Sequence, residues 1–165
     1  MREELTQRLY DEFPDLYWQH TLPDSESLMC YGFECGDGWY DVLHEMSTKI
    51  KAAVDSTEDV EPRDVAVTQV KEKLGSLRVY MNGNKVNVDG VRQAIEDASR
   101  RAARTCERCG GEGSLKKNHG WLTTLCDECE ETWKADWDRR LQVRQQRLKM
   151  LLKDLGVDTS ERVSL

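Results

Sequence analysis

The chain has 165 residues and carries 24 Lys and Arg against 31 Asp and Glu, which gives a formal net charge of -7. Hydrophobic residues make up 38% of it and charged residues 33%, so the composition predicts a modest core under a highly charged surface. No apolar run approaches the ~20 residues of a membrane span, and the first residues lack the apolar stretch of a secretory signal. We therefore expect a soluble cytoplasmic protein.

The charge is unevenly spread along the chain. Residues 1–64 hold sixteen acidic and five basic side chains, whereas residues 65–165 hold fifteen acidic and nineteen basic ones. The acidic first part should repel nucleic acid and favour a basic partner surface. The second part could tolerate a phosphate backbone, although its excess of positive charge is small for a nucleic-acid-binding protein. The alternative is that the two parts only have differently solvated surfaces.

Turn residues and hydrophobic periodicity predict the elements that precede the cysteines. In chain order the first are a helix at 2–12, a loop at 14–27 and a strand at 28–34. A helix follows that Gly36-Asp37-Gly38 opens, with Asp37 as its cap, and an acidic loop at 55–64 comes after it. The last are strands at 65–73 and 77–81 around a turn at 74–76, a short strand near Val86 and Val88, and a helix capped by Asp89.

The two longer helices of this region each carry one apolar face. The first repeats large apolar residues at steps of three and four, which is the period of a single buried helical face. Its stripe consists of Trp39, Leu43, Met46, Ile50 and Val54. The second stripe consists of Val91, Ile95, Ala98 and Ala102. In the strands, Val65, Val67 and Val70 break strict alternation, which indicates a β-bulge.

Four cysteines form the most specific pattern in the sequence. Cys106 and Cys109 make one C-x2-C pair, and Cys126 and Cys129 make a second pair sixteen residues later. Two residues between cysteines let a tight turn direct both sulfurs at one ion, and zinc takes four thiolates tetrahedrally. The pattern predicts one structural Zn²⁺, because four sulfurs leave no open position for catalysis. The alternatives are two disulfides or four free thiols, and a reducing cytosol disfavours the disulfides.

The surroundings of the cysteines complete this prediction. Residues 115–125 favour a hairpin with its turn at Asn118-His119-Gly120, and the second cysteine pair opens a long helix. A knuckle, a hairpin and a helix in this order resemble the treble-clef zinc finger over about 106–135. Nearby cations should offset the charge of the thiolates. The candidates for this role are Arg104, Arg108, Lys116 and Lys117. A weaker hypothesis places a second metal site at Cys30, Cys35 and His44.

The segment from Asp127 to Leu155 contains no Gly or Pro, so it predicts one long helix that stops at Gly156. Its apolar stripe follows an eleven-residue repeat and includes Arg144. The stripe consists of Trp133, Trp137, Leu141, Leu148, Leu151 or Leu152, and Leu155. A buried Arg needs a carboxylate partner, so either the helix leaves the body of the protein near residue 141, or an acidic surface of the first half or of another subunit covers Arg144. The helix could pack on its own chain with Arg144 reaching solvent, or it could meet a second copy or another protein. We expect a frayed tail from Asp158 to Leu165.

Three segments together resemble small zinc-binding proteins encoded by bacteriophages and prophages. The segments are Gly36-Asp-Gly-Trp-Tyr40, Gln69-Val-Lys-Glu-Lys-Leu-Gly-Ser-Leu-Arg-Val-Tyr80, and Cys106-x2-Cys109-Gly with Trp121-Leu-Thr-Thr-Leu-Cys-Asp-Glu-Cys129. The resemblance spans about 30–130 and implies an accessory protein without defined catalytic residues. Phage accessory proteins of this size often bind and disable a host protein, including defence nucleases.

The sequence therefore predicts an α+β fold with a small antiparallel sheet at 1–104, a treble-clef zinc module at 105–132 and a long helix with a tail at 133–165. We expect a non-enzymatic binding protein of the bacterial host cytoplasm that inhibits or modulates a host protein, with a homodimer through the long helix as a further possibility. Trp and Arg are common interface anchors. The candidate contact residues are Trp133, Trp137, Arg140, Arg144 and Arg147.

Two alternatives involve nucleic acid. A nucleic-acid-binding zinc finger would use the basic residues around the first cysteine pair and in the hairpin. These residues are Arg100, Arg101, Arg104, Lys116 and Lys117. An HNH-like treble-clef nuclease would use His119 in the hairpin, but no His follows the last cysteine pair to complete such a site.

Overall fold

A computed structural model describes residues 1–58, 60–82 and 90–155. The predicted strand near Val86 and Val88, the Asp89 cap and the tail after Leu155 lie outside these residues. The chain divides into two compact units, Met1–Cys129 and Glu130–Leu165. Among the described residues, no helix combines the length and the apolar character needed to cross a membrane.

The described elements are both helical and extended, which confirms the α+β class. The helices are α1 Glu3–Glu12, α2 Pro14–Tyr17, α3 Tyr40–Asp55, α4 Val91–Ala102 and α5 Asp127–Asp154. The strands are β1 Phe33–Glu34, β2 Val67–Lys73, β3 Ser76–Met81, β4 Ser114–Asn118 and β5 Trp121–Leu125. Short 3-10 helices lie at Trp18–Thr21, Leu28–Tyr31, Asp37–Trp39 and Pro62–Asp64.

The main sheet is mixed rather than antiparallel throughout, so the prediction of a small antiparallel sheet holds only for the β2–β3 pair. Its strand order is β1-β2-β3, in which β2 and β3 form an antiparallel hairpin and β1 pairs parallel to β2 through Phe33 and Val70. A parallel neighbour needs a long connection, and here the chain makes that connection through α3. The predicted bulge is confirmed by a register shift between Val67 and Gln69.

Helix α3 and the residue before it supply the centre of the core. The whole predicted stripe from Trp39 to Val54 is buried. The α4 stripe is also confirmed, with Val91, Ala98 and Ala102 buried and Ile95 packed against the core at its edge. Small residues on α4 allow it to lie close against α3, which is among its main neighbours.

The segment before α3, residues 14–38, departs from the prediction in three places. Residues 28–34 do not form one strand, because Ser27 accepts a hydrogen bond from Met29 N at 3.3 Å and starts a 3-10 turn that Gly32 ends at φ 71°. The region at 14–27 is partly helical rather than a loop, since Pro14 opens α2. Asp37 does not cap α3: its carboxylate accepts from Arg2 N at 2.7 Å, and the N-cap residue is Trp39.

The hairpin and the long helix of the cysteine region match their predictions. Strands β4 and β5 pair antiparallel around His119 and Gly120, whose φ angles of 49° and 85° are both left-handed, as a tight two-residue hairpin turn requires. Helix α5 ends one residue before the predicted limit. It has no buried residue along its length.

Candidate metal centre

The four predicted cysteines come together in one group. The Sγ atoms of Cys106, Cys109, Cys126 and Cys129 all lie within 4.8 Å of one another, and none of these cysteines forms a disulfide. An ion bonded tetrahedrally to four sulfurs at about 2.3 Å separates those sulfurs by about 3.8 Å. The 3.7 Å between the Sγ atoms of Cys109 and Cys126 matches this separation. The donor set therefore suits one metal ion with no open position for a substrate.

Backbone amides around the group favour thiolates, which are the form that binds a metal. Burial raises the pKa of the Cys106 thiol, but the backbone N–H groups of Cys126, Cys109 and Arg108, together with the Cys109 thiol, lower that pKa to about 7. The Cys129 amide donates to Cys126 Sγ at 3.4 Å. Burial and then the neighbouring thiols raise the pKa of Cys129, and a bound cation would relieve this repulsion between sulfurs.

The first cysteine pair lies in a tight knuckle closed by backbone hydrogen bonds. Gly110 N donates to the carbonyl of Cys106 at 2.9 Å, and Cys106 N donates to the carbonyl of Gly111 at 2.7 Å. Gly110 has a φ of 80°, a conformation that residues with a Cβ rarely adopt. The local sequence therefore builds the turn that directs both sulfurs to the same side.

The segment Gly36-Asp37-Gly38 lies directly against this knuckle. Gly38 N donates to the carbonyl of Glu107 at 2.8 Å, and Gly36 N donates to Glu107 Oε1 at 2.8 Å. A Cβ at Gly36 would lie within 3.0 Å of the Glu107 backbone, and a Cβ at Gly38 would lie within 3.0 Å of the Cys106 backbone. Both glycines are thus required for the close approach of two backbones. The metal knuckle is part of the same compact unit as the core.

Two further contacts hold the knuckle and hairpin to the core. The indole of Trp39 donates through Nε1 to the carbonyl of Thr105 at 2.8 Å. On the hairpin, the buried Thr124 hydroxyl donates to the carbonyl of Gly75, in the β2–β3 turn, at 2.7 Å. Gly75 has a φ of 77°, and a Cβ there would lie within 3.0 Å of Leu115.

These attachment residues were not predicted as part of the site. The glycines at 36 and 38 were interpreted as the start of a helix, and no neighbouring residue indicates their contact with residues about seventy positions away. Two segments distant in sequence, around Gly36 and around Gly75, thus contact the metal knuckle or the hairpin.

The hypothesis of a second metal site finds no support among the described residues. Cys30 is exposed and Cys35 is buried, and neither belongs with His44 to a group of candidate ligands. His44 Nε2 instead contacts Glu12 Oε1 at 2.9 Å. His119 lies exposed in the hairpin turn, also outside any such group in the described part of the chain.

Two of the four cations predicted to offset the thiolates have other partners. Arg108 donates to the backbone carbonyl of Cys129 at 3.5 Å, and the ammonium of Lys116 pairs with Asp127 at 2.6 Å. Arg104 and Lys117 are exposed. The backbone amides are therefore the groups that the structure places against sulfur, and direct charge compensation by these side chains stays a prediction.

The residues of the predicted nucleic-acid surface lie on α4, in the turn after it and on β4, and some of them are paired with acids. Arg100 pairs with Asp97, and Arg101 pairs with Glu45 and contacts the carbonyl of Asp41. With Lys116 also paired, three of the five predicted cations have a carboxylate partner within their own unit. Such pairs reduce the field that a phosphate backbone would meet.

The predicted partner-binding residues all lie on α5. The rings of Trp133 and Trp137 stack with centroids 5.4 Å apart at an angle of 17°. Arg140, Arg144 and Arg147 are exposed. The same helix exposes a series of large apolar side chains, four of which belong to the stripe predicted from the sequence. They are Leu141, Val143, Leu148, Met150, Leu151 and Leu155.

A cavity of about 330 Å³ opens in the acidic first part of the chain, between α1, α2 and the end of α3. Apolar side chains form part of its lining. They include Phe13, Leu16, Ile50, Val54 and Val65. Among the described residues that line it, carboxylates at 11, 12, 15 and 55 outnumber the cation Lys51. Two of these carboxylates have cation partners, since Asp15 pairs with Arg63 at 3.3 Å and Asp55 pairs with Lys51 at 2.7 Å.

Comparisons with known protein families, curated proteins and solved structures find no match to this chain.

Proposed function

We propose that the chain is a zinc-stabilised, non-enzymatic binding protein whose principal contact element is α5. The observation that carries this proposal is the composition and exposure of the helix. From 139 to 153 it holds six basic residues and no acidic one, and large apolar side chains between them are 43–68% exposed. Exposed apolar groups flanked by Arg are typical of protein-binding surfaces.

Zinc is the proposed ion because four thiolates in a tetrahedral group select it in cells. The order of knuckle, hairpin β4–β5 and helix α5 supports a treble-clef arrangement of the centre. With four protein ligands the ion would have a structural role, which supports binding rather than catalysis as the function.

The resemblance to bacteriophage and prophage proteins supports a more specific proposal. The chain would act in the cytoplasm of a bacterial host as an accessory protein that inhibits or modulates a host protein, such as a defence nuclease. The acidic cavity supports a partner with a basic surface, and nucleases carry such surfaces to hold nucleic acid. The contact residues on α5 would be Trp133, Trp137, Arg140, Arg144 and Arg147.

A capture experiment tests the proposed function. We expect the tagged, zinc-loaded protein to retain a host protein from bacterial lysate and to re-form the complex with that protein after purification. The variant Arg144→Glu/Arg147→Glu should weaken the purified complex about tenfold or more, because it reverses two interface cations. Isothermal titration calorimetry of the identified partner would measure this loss.

The matched control is Arg78→Glu/Arg92→Glu, which reverses the same number of exposed cations on β3 and α4. This control should bind like the unaltered protein. Equal affinity of all three proteins for the captured partner, or no reconstituted complex, would contradict the proposal.

Nucleic acid is a second candidate ligand, favoured by the uninterrupted positive charge of residues 139–153. If α5 binds nucleic acid, fluorescence polarisation with labelled duplex DNA and RNA should show affinity that falls steeply with salt. We then expect Arg144→Glu/Arg147→Glu to reduce affinity more than Arg100→Glu/Arg101→Glu, because the latter arginines already pair with acids. The absence of binding at low salt would remove this candidate.

A further inference from the structure

The four cysteines of the metal group differ in how far solvent reaches them. Cys106 is fully buried, Cys126 and Cys129 are partly exposed, and Cys109 is exposed. Residues 108–112, which include Cys109, form a continuous exposed segment. All four sulfurs are thiolates when they hold an ion, so access from solvent decides which of them an oxidant attacks first. That sulfur is the Sγ atom of Cys109.

A second sulfur lies beside that of Cys109. Cys126 Sγ is 3.7 Å away, although Cys126 belongs to the other pair of cysteines. The sulfurs of a disulfide are about 2.05 Å apart, so these two atoms would need to approach by about 1.7 Å. Gly110 and Gly111 directly follow Cys109, and residues without a Cβ give the backbone more freedom for such a shift. Cys126 is therefore placed to react with an oxidised Cys109.

Cys106, the pair partner of Cys109, is held away from this reaction. Its sulfur accepts hydrogen bonds from the backbone amides of Cys126, Cys109 and Arg108. Such bonds stabilise the charge of a thiolate and reduce its strength as a nucleophile. The sulfur of Cys126 accepts from the Cys129 amide at 3.4 Å, which is a long contact. Burial and hydrogen bonding thus favour Cys126 over Cys106 as the second reacting sulfur.

We propose that Cys109 and Cys126 are a peroxide-sensitive pair whose oxidation releases the metal ion. The Cys109 thiolate attacks a peroxide oxygen, so that an S–O bond forms, the O–O bond breaks, and a sulfenic acid and hydroxide result. The Cys126 thiolate then displaces hydroxide from that sulfur and forms the disulfide. Two thiolates are oxidised, one peroxide is reduced, and two protons convert both hydroxides to water. Cys106 and Cys129 alone do not complete a tetrahedral site.

The disulfide would keep the knuckle joined to the start of α5 after the ion is lost. Cys109 belongs to the knuckle, and Cys126 directly precedes the first residue of α5. The two cysteines are 17 positions apart, so the link closes a loop and restricts the unfolded chain. We expect the oxidised protein to melt about 5 °C or more above reduced protein from which a chelator has removed the ion.

This inference rests on the metal centre of the proposed function, and it is tested on the full-length, zinc-loaded protein. Hydrogen peroxide is added, and a chromophoric chelator reports the zinc that is released. We expect one ion per chain to be released while peptide mapping without reductant shows a disulfide between Cys109 and Cys126. Dithiothreitol and added Zn²⁺ should restore the metal-bound form. Cys30→Ser, which removes an exposed thiol outside the group, should release its ion at the unaltered rate.

Two histidine variants separate the reacting pair from the other ligands. Histidine binds zinc but forms no disulfide, so Cys109→His and Cys129→His each keep four donor atoms. Cys109→His should release its ion at least tenfold more slowly than the unaltered protein. Cys129→His retains Cys109 and Cys126, so it should release its ion at a rate close to that of the unaltered protein. Elemental analysis before oxidation checks the metal content, and disulfide mapping of the unaltered protein decides if either variant binds no metal.

A disulfide that joins any other two cysteines, equal release rates for the two histidine variants, or an ion retained under peroxide would overturn the proposal. An oxidised protein that melts no higher than the chelator-treated reduced protein would overturn the link between the knuckle and α5. None of these results affects the capture of a host protein, which is measured separately with reduced protein. Unaltered protein that contains no metal as purified would instead contradict the zinc centre of the proposed function.

Discussion

The variant Cys109→Ser should purify without stoichiometric metal and should lose about 3 kcal/mol or more of its free energy of unfolding. Cys109 is exposed, so the substitution removes a ligand without opening a cavity in the core. The loss should spread beyond the knuckle, because Gly36, Gly38 and Trp39 are hydrogen-bonded to residues 105–107. Elemental analysis would give the metal content, and thermal unfolding would give the stability.

The control for this prediction is Cys30→Ser, the same substitution at an exposed cysteine outside the metal group. It should keep one metal ion per chain and change the free energy of unfolding by less than about 0.5 kcal/mol. A chelator added to the unaltered protein should reproduce the Cys109→Ser result. Unaltered protein that contains no stoichiometric metal when prepared without chelator would contradict both the prediction and the proposed zinc site.

The parts of the fold that could be predicted from sequence depend on local patterns. The α3 stripe follows from large apolar residues at helical spacing, and the extent of α5 follows from 28 residues without a helix breaker. The metal group follows from the spacing of the cysteines, since each pair needs only a tight turn. In each case the information lies within a few residues of the element that it specifies.

The parts that could not be predicted depend on residues far apart in the chain. The two-residue strand β1 has too little sequence to reveal that it pairs parallel to β2. The segment at 28–31 has strand-like residues, but Ser27 and Gly32 make a 3-10 turn more favourable locally. The attachment of Gly36 and Gly38 to the knuckle joins residues about seventy positions apart. No local pattern records such a contact.

Gly38 lies so close to the knuckle that adding one methyl group at this position should have a second large effect, on both stability and metal binding. Gly38→Ala should lower the free energy of unfolding by about 3 kcal/mol and weaken metal binding, because the new Cβ would meet the backbone of Cys106 and the amide of Gly110 within 3.0 Å. Backbone atoms on both sides leave no flexible side chain to move aside. Chemical unfolding and competition with a chromophoric chelator would measure the two losses.

The matched control is Gly111→Ala, in the same knuckle. Its Cβ would make an ordinary contact of 3.6 Å with Cys109 Sγ and would need no left-handed backbone. This variant should stay within about 1 kcal/mol of the unaltered protein, because replacing Gly by Ala at a compatible position even restricts the unfolded chain. If Gly38→Ala and Gly111→Ala were equally stable and bound metal equally well, Gly38 would not be packed against the knuckle. The link between the metal group and the core would then depend on Trp39 and Thr124 instead.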